Sequence, residues 1–379
     1  MKYKYSFFII ILLFLSCSGK KQHDFKDAEI KIDIAKKEAV EFNDLIADNY
    51  FVKLEATDKS NLRYISDVQV TSDKIFVSDI GSQTIFIYTF PEGNFIREIN
   101  ALGVGPNEYY RINDFQVDEK NRSIEVLDSN QKKIVSYDFE GKYLSTKKIG
   151  ITGVMEFLTL DNGERVFSGI LKEDYDNQKY QIIKSKGSYL KNKIIEHKKE
   201  YGFLSKSPHS LTRCNSSVYF NPIYSPLVFQ LDGEKMIIKY LIDFGGHWMD
   251  NTIMYANKNP SSFDNAIDKN NFVKSLNVVV GTSYLAIKYY FEKEKHFCLY
   301  ELETKKLYDI ENFNEGILNG IEYEYFNNGY FISVKDPISL LEVLNKQSID
   351  TLLMSKDFAN GLNSNDNQVL MFTKFRKKL

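Results

Sequence analysis

The side chains of this sequence that could do chemistry are carboxylates set at turn positions. Asp79 and Asp128 each end an alternating apolar run, and Glu108, Tyr109 and Arg111 close or follow the segment Gly103-Val-Gly-Pro-Asn107. Gathered on one surface, Glu108, Arg111, Asp79 and Asp128 would line a polar pocket for a charged or hydrogen-bonding ligand, with Tyr109 beside them. The aspartates have a second, structural reading. Asp at a strand end bonds its own turn backbone, and its recurrence in consecutive repeats points to a repeat-building role. Asp67, Asn113 and Asp114 offer hard oxygen atoms of the kind calcium takes, but their favoured role is to satisfy turns around a solvated channel, so no cofactor is expected and calcium is the alternative.

Other chemistries lack their signatures. The five histidines, His23, His197, His209, His247 and His296, show no ligand spacing, and there is no Cys-x-x-Cys, Gly-x-Ser-x-Gly or His-Glu-x-x-His string. Gly103-Val-Gly105 is not a phosphate loop, because neither a helix nor a Lys-Ser/Thr pair follows and Pro106 would spoil the amide cradle. Binding is therefore favoured over catalysis. One more candidate is Trp248, the only tryptophan in the chain. It lies in a long segment, about 245–271, that reads as a partly helical lid whose aromatics Trp248, Tyr255 and Phe263 either contact a sugar, peptide or protein or pack the lid down.

These residues sit in a repeat. Asp67-Val-Gln-Val-Thr-Ser-Asp-Lys-Ile-Phe-Val-Ser-Asp79 aligns with Asp114-Phe-Gln-Val-Asp-Glu-Lys-Asn-Arg-Ser-Ile-Glu-Val-Leu-Asp128, and the register continues through Ile85 and Ile134, Tyr88 and Tyr137, Gly93 and Gly141. The period, about 48 residues, is that of propeller blades. Each unit holds four short runs with apolar residues at every second position, bounded by Asp, Asn, Gly or Ser, the pattern of antiparallel strands. They fall near 65–71, 74–79, 84–90 and 95–100, then 112–118, 123–128, 133–139 and 143–149. Further copies run over 155–195, 211–244 and 276–310. A sixth starts at 320–326 and 330–334, is interrupted by a helical insertion at about 337–362, and resumes at 368–375, one strand short. Tyr50–Ala56, which alternates correctly ahead of the first copy, is expected to supply that strand and close the ring, removing exposed edges.

The reading is an all-β chain, a six-bladed β-propeller of four-stranded antiparallel sheets, closed by an N-terminal strand and carrying small helical insertions. Val77-Ser-Asp-Ile-Gly-Ser-Gln-Thr-Ile-Phe-Ile-Tyr88, followed by Gly103-Val-Gly-Pro-Asn-Glu-Tyr109, resembles NHL-type repeats. It is more similar still to the six-bladed propeller lipoproteins of Bacteroidetes, which carry a Gly-x-Gly-Pro-Gly-Glu-Tyr/Phe loop after the first blade. The resemblance runs from about residue 44 to the end. It departs at Asn107, where Gly is usual, and at Ser225-Pro-Leu-Val-Phe229, where Ser-Asp-Thr-Ile-Tyr is usual. It implies fold and compartment rather than activity. Some six-bladed lyases and lactonases hold calcium or zinc in the channel, which makes a metal-dependent lyase or hydrolase the alternative to a binding protein.

The N-terminus, with Lys2 and Lys4, an apolar run Phe7–Leu15 and then Ser16-Cys17, reads as a lipoprotein signal peptide over 1–16 with lipidation at Cys17. Residues 17–43 are expected to be a tether and 44–379 the propeller. Removing the signal takes away two lysines and no acids, moving the formal net charge from −2 to −4, so nucleic acid is not an expected partner. The expected partners are the membrane, through the lipid, and an envelope protein, peptide or glycan. The expected place is the periplasmic side of the outer membrane, since no acidic cluster follows Cys17. Cys214 and Cys298 fall in strands of different sheets and are expected to be buried free thiols rather than a bridge. Asp350-Thr351-Leu352 resembles a short O-glycosylation motif.

Overall fold

The middle strands of the first repeat are apolar almost without a break, and the reason is that both of their faces are covered. In the computed structural model, which describes residues 28–40, 42–173, 179–186, 189–196, 209–222, 225–249, 260–273, 275–310, 323–345 and 354–377, each repeat is one sheet standing edge-on to a central axis. Its strands are lettered A to D from the axis outward. Blade 1 comprises Ile65–Val70, Lys74–Asp79, Thr84–Thr89 and Phe95–Ile99. Alternate residues of strands B and C enter different wedges. Ile75, Val77, Phe86 and Tyr88 pack toward blade 6, whereas Phe76, Ile85 and Ile87 pack toward blade 2. Period-two alternation thus sorts side chains between two apolar interfaces instead of between core and solvent.

Blade 2 (Asp114–Asp118, Ser123–Asp128, Lys133–Asp138, Tyr143–Lys148) and blade 3 (Ile151–Thr159, Glu164–Glu173, Lys179–Lys186, Tyr189–Glu196) repeat the meander. Blade 4 (Leu211–Cys214, Ser217–Phe220, Leu227–Asp232, Lys235–Asp243) and blade 5 (Ser275–Val280, Tyr284–Phe291, Glu294–Glu301, Leu307–Asp309) follow. The A strands touch in a closed circuit, each meeting the next and blade 6 meeting blade 1. The buried apolar residues fall into six clusters, one for each wedge between neighbouring blades.

Closure works as the sequence leads one to expect. Blade 6 takes strands A to C from Tyr325–Asn327, Tyr330–Lys335 and Val369–Phe375, and its strand D from the N-terminal side, where Ile46–Lys53 pairs antiparallel with Val369–Phe375. The donated strand begins four residues before the expected Tyr50. Tyr50 stacks on Phe372, ring centroids 4.8 Å apart and 4° from parallel. Helices Pro337–Leu344 and Lys356–Asn360 lie between strands B and C of blade 6, as the helical spacing predicts; Leu352, Leu353 and the Asp350-Thr351-Leu352 motif lie outside the described residues.

The tether needs correction. Residues 30–39 are not a free linker but part of the ring, in two strands named β1 (Ile30–Asp33) and β2 (Lys37–Ala39). β1 adds a fifth, parallel strand outside strand D of blade 4, and β2 does the same on blade 5. Ile32 and Ile34 are buried in the wedge between those blades, and the strap is pinned by Lys31–Asp243 at 2.7 Å and Lys37–Asp309 at 3.0 Å. One N-terminal segment therefore laces blades 4 and 5 before completing blade 6. The signal segment and Cys17 lie outside the described residues.

Candidate functional site

The turn between strands B and C of blade 1 decides what Asp79 does. Its carboxylate is fully buried, with Oδ2 accepting from the Arg63 amide at 2.8 Å and Oδ1 from the amides of Tyr64 at 3.0 Å and Gly81 at 2.7 Å. Asp128, equally buried, accepts from the amide of Tyr110 at 2.7 Å and from the backbone and side chain of Gln131 at 3.0 and 2.9 Å. Each carboxylate ties the loop entering its own blade to the adjacent turn. The expectation that Asp79 and Asp128 line an open pocket is replaced by the turn-building one, because backbone donors surround both.

Glu108 turns inward as well. Its Oε2 accepts from the Gly105 amide at 2.8 Å, and a Cβ on Gly103 would overlap that same oxygen, which explains the Gly-x-Gly spacing without any ligand. Tyr109 is wholly buried, its hydroxyl 3.0 Å from the carbonyl oxygens of both Gln83 and Ile99; burial pushes the phenol up to about 12. Arg111 is exposed. What this face does present is apolar: Tyr64, Leu102, Val104 and Tyr110 are 68, 54, 77 and 56% exposed, on loops fixed from beneath by Asp79, Asp128 and Tyr109.

Trp248 is half-buried and stacks on Phe244 at 5.4 Å, joining the wedge between blades 4 and 5. Its stacking on Phe244 packs the segment onto the wedge, the second of its two expected roles; Tyr255 and the side chain of Phe263 lie outside the described residues. Cys214 and Cys298 are buried and unbridged in that same wedge, and burial pushes the Cys214 thiol up to about 11.

A cavity among the described residues lies elsewhere. It occupies about 520 Å³ on the axis, lined by A strands of all six blades and by the A–B turns at Thr71, Glu119, Asn215 and Asn328. It therefore opens on the face opposite the B–C turns, and none of Asp79, Glu108, Tyr109, Arg111, Asp128 or Trp248 lines it. Alternate A-strand residues face inward, and several clamp the neighbouring blade. Gln69 donates to Phe115 O at 2.5 Å and accepts from Val117 N at 2.9 Å. Asp114 accepts from Phe157 N at 2.8 Å. Glu156 accepts from Ser210 N at 3.2 Å and Leu211 N at 3.1 Å. His209, from blade 4, reaches across to blades 1 and 6, with Nδ1 3.9 Å from Asp67 and its ring edge-on to Tyr325 at 4.6 Å. Burial, with Asp67 and Glu324 nearby, holds the Tyr325 phenol well above its ordinary value.

Asp67 and Asp114 do face this cavity, but their oxygens already serve backbone amides, Val68 N at 2.8 Å and Phe115 N at 2.9 Å among them. Asn113 accepts from Ser129 N at 2.9 Å. Among the described residues, no group of three or more His, Cys, Asp or Glu side chains converges as metal ligands would. Sequence reasoning missed Glu156, His209, Glu324 and Tyr325. The repeated Asp-x-Gln of Asp67-Val-Gln69 and Asp114-Phe-Gln116 was the available signal for an inward polar row.

A six-bladed β-propeller with a polar axial cavity is the class that this fold and site define. Within it, the chain belongs to the family described as "Domain of unknown function (DUF4934)", whose model matches residues 27–374. It is similar in fold to a crystal structure from Bacteroides fragilis NCTC 9343, provisionally described as an exported protein, with TM-score 0.78 and 16% identity over 92% of this chain and 99% of that one. It is also similar to a member of the DUF4221 family from Bacteroides vulgatus ATCC 8482, with TM-score 0.53 and 11% identity over 88 and 97% of the two chains. No curated protein matches. Among the described residues no helix is long and apolar enough to cross a membrane.

Proposed function

We propose that the protein is exported, held by a lipid on Cys17, and acts as a non-enzymatic binding or scaffolding protein at the cell envelope, on the periplasmic side of the outer membrane. The observation that carries this reading is the exposed apolar set Tyr64, Leu102, Val104 and Tyr110 on one face of blades 1 and 2. Large side chains held in water on rigid loops are characteristic of surfaces that meet a partner, and aromatics dominate the energetics of such contacts. Arg63 and Arg111, both exposed beside Tyr64 and Tyr110, would pair with an acidic rim on an envelope protein or peptide. A further support for binding over catalysis is that the carboxylates of that face, Asp79, Asp128 and Glu108, accept hydrogen bonds from backbone amides. The provisional description of the B. fragilis relative as exported agrees with the signal-like N-terminus.

The experiment is crosslinking in envelope preparations of the intact protein, Val104→Asp and Cys17→Ser. The reading expects Cys17→Ser to leave the membrane fraction, and Val104→Asp to stay there but lose a crosslinked species. A crosslink unchanged in Val104→Asp, or membrane retention unchanged in Cys17→Ser, refutes it.

A further inference from the structure

The N-terminal strap shows what the outer edge of a blade accepts. On blade 4, β1 runs parallel to strand D with Lys31 opposite Leu241, and Lys31 reaches two residues on to Asp243, the last of that strand, at 2.7 Å. On blade 5, β2 repeats the geometry. Lys37 stands opposite Leu307 and reaches Asp309, again two residues on and again the last of its strand, at 3.0 Å. An added strand is thus held by main-chain pairing and selected by one diagonal charge pair at the end of strand D.

Strand D of blade 2, Tyr143–Lys148, is the outermost strand of its sheet, and among the described residues no strand pairs with its far side. Ile149 N donates inward to Lys132 O, so by alternation the N–H and C=O groups of Thr146 and Lys148 point away from the sheet, where an edge strand offers them to a further chain. Tyr143 and Leu144 are 40 and 49% exposed, a pair of large apolar side chains left in water on this edge. Leu144 is the extra residue of a bulge that precedes Ser145–Lys148, just as Lys239 is the extra residue before the four that β1 covers. The end charge, however, is reversed. Blades 4 and 5 finish strand D on Asp, whereas blade 2 finishes it on Lys148, which is exposed and has no ion-pair partner among the described residues. Lys147 beside it is exposed too, with Glu125 4.0 Å away. Blade 1 finishes on buried Ile99 and offers no charge there.

We propose that the outer edge of blade 2 takes a fifth, parallel strand from another protein, an extended segment of alternating apolar and acidic residues. One acid opposite Thr146 reaches Lys148, as Lys31 and Lys37 reach their aspartates, and apolar side chains cover Tyr143 and Leu144. Like charge keeps the lysine-bearing strap off this edge. The edge uses none of Tyr64, Leu102, Val104 and Tyr110.

The test is hydrogen exchange of the intact protein with the synthetic peptide Glu-Ile-Lys-Ile-Asp-Ile, the sequence of residues 29–34, and with the same peptide carrying Lys31→Glu. The expected result is saturable protection of the outward amides within 145–148 by the Lys31→Glu peptide, with affinity about threefold or more above that of the unchanged peptide, the range of one exposed charge pair. Lys148→Glu in the protein is expected to invert that preference. Lys120→Glu, the same charge change on an exposed turn of blade 2, is expected to leave it unmoved. Should Lys148→Glu fail to fold, Lys148→Gln serves in its place and should abolish the preference without inverting it. Equal protection by both peptides, no protection at 145–148, or a preference indifferent to residue 148 would overturn the proposal. So would protection of 145–148 without peptide that grows with protein concentration, which would make a second copy of the chain the occupant.

Discussion

Gly93, in the C–D turn of blade 1, approaches Lys53 of the donated strand so closely that a Cβ on it would overlap the Lys53 carbonyl oxygen. The turn leans on the ring closure itself: Glu55 N donates to Gly93 O at 2.9 Å, and Phe95 N to the Glu55 carboxylate at 2.7 Å. The same leaning recurs where Arg97 donates to Glu140 O at 2.9 Å and Lys184 to Gly233 O at 3.2 Å, so C–D turns of blades 1, 2 and 4 each rest on the preceding blade. Gly93 also has φ +77°, a region that disfavours any side chain. Gly93→Ala therefore combines backbone strain with a clash against main chain, and is expected to lower stability by about 2–4 kcal/mol. Gly163→Ala, with the same φ of +77° but open space around it, should lose only about 1 kcal/mol. Denaturant unfolding of both variants checks this, and equal losses would remove Gly93 from the closure.

The ring was legible in the sequence because blades 1 and 2 are near copies, and because alternation survives even where both faces of a strand are covered. Ile75 and Phe76 serve opposite wedges, yet both must be apolar, so the run reads as buried strand without revealing that its faces belong to different interfaces. β1 was illegible for a physical reason. Ile30-Lys-Ile-Asp33 is four residues long, half charged, and pairs in parallel with a strand more than two hundred residues away, so nothing local distinguishes it from a solvated linker. The cavity escaped notice because its wall takes only a few residues from each blade. Glu156 and Glu324 belong to worn copies in which the Asp-x-Gln signal has been lost. Asp79 and Asp128 were conspicuous for the opposite reason, since their repetition in blades 1 and 2 marks what those two turns need rather than what one ligand needs.

The strap should loosen in acid. Burial alone would raise the Asp243 carboxyl, but hydrogen bonds and charge from Lys31 and the Gly245 amide outweigh it and hold the group below its ordinary value. A carboxyl depressed by folding contributes stability that is fully present above the unfolded value, about 3.9, and is lost as pH falls through the native value. Amides of residues 30–33 should therefore gain hydrogen exchange below about pH 4 before those of blades 1 and 2. Asp243→Asn should abolish that pH dependence; a strap whose exchange is unaffected by the substitution would show that Ile32 and Ile34 alone hold it.

Cys214 and Cys298 are expected to be silent toward thiol reagents in the folded state. Both are buried in the wedge between blades 4 and 5, and a thiol lifted to about 11, as Cys214 is by burial, supplies little thiolate at pH 8, where a free cysteine at about 8.5 supplies a substantial fraction. Protein lacking residues 1–17 should label at neither cysteine when native and at both when unfolded in denaturant without reductant. Fast native labelling would contradict the wedge packing, and two thiols appearing only after reduction would indicate a bridge.

Asp79 gives the sharpest separation between a ligand role and a building role. Its two oxygens accept three backbone amides, those of Arg63, Tyr64 and Gly81, and no water can reach a side chain this buried to replace it. Asp79→Ala leaves those donors unmatched, at about 1–3 kcal/mol each, so the expected loss is at least about 3 kcal/mol. Asp79→Asn keeps the shape but turns an NH2 group toward at least one amide, replacing an acceptor with a donor. It too should be destabilising, which a residue that merely contacted solvent or a ligand would not be. The loop entering blade 1, residues 57–64, should show the increase in hydrogen exchange first, since two of the lost bonds lie at its end. Wild-type stability in both variants, together with altered partner crosslinking, would return Asp79 to the binding surface and unmake the assignment of Asp128 along with it.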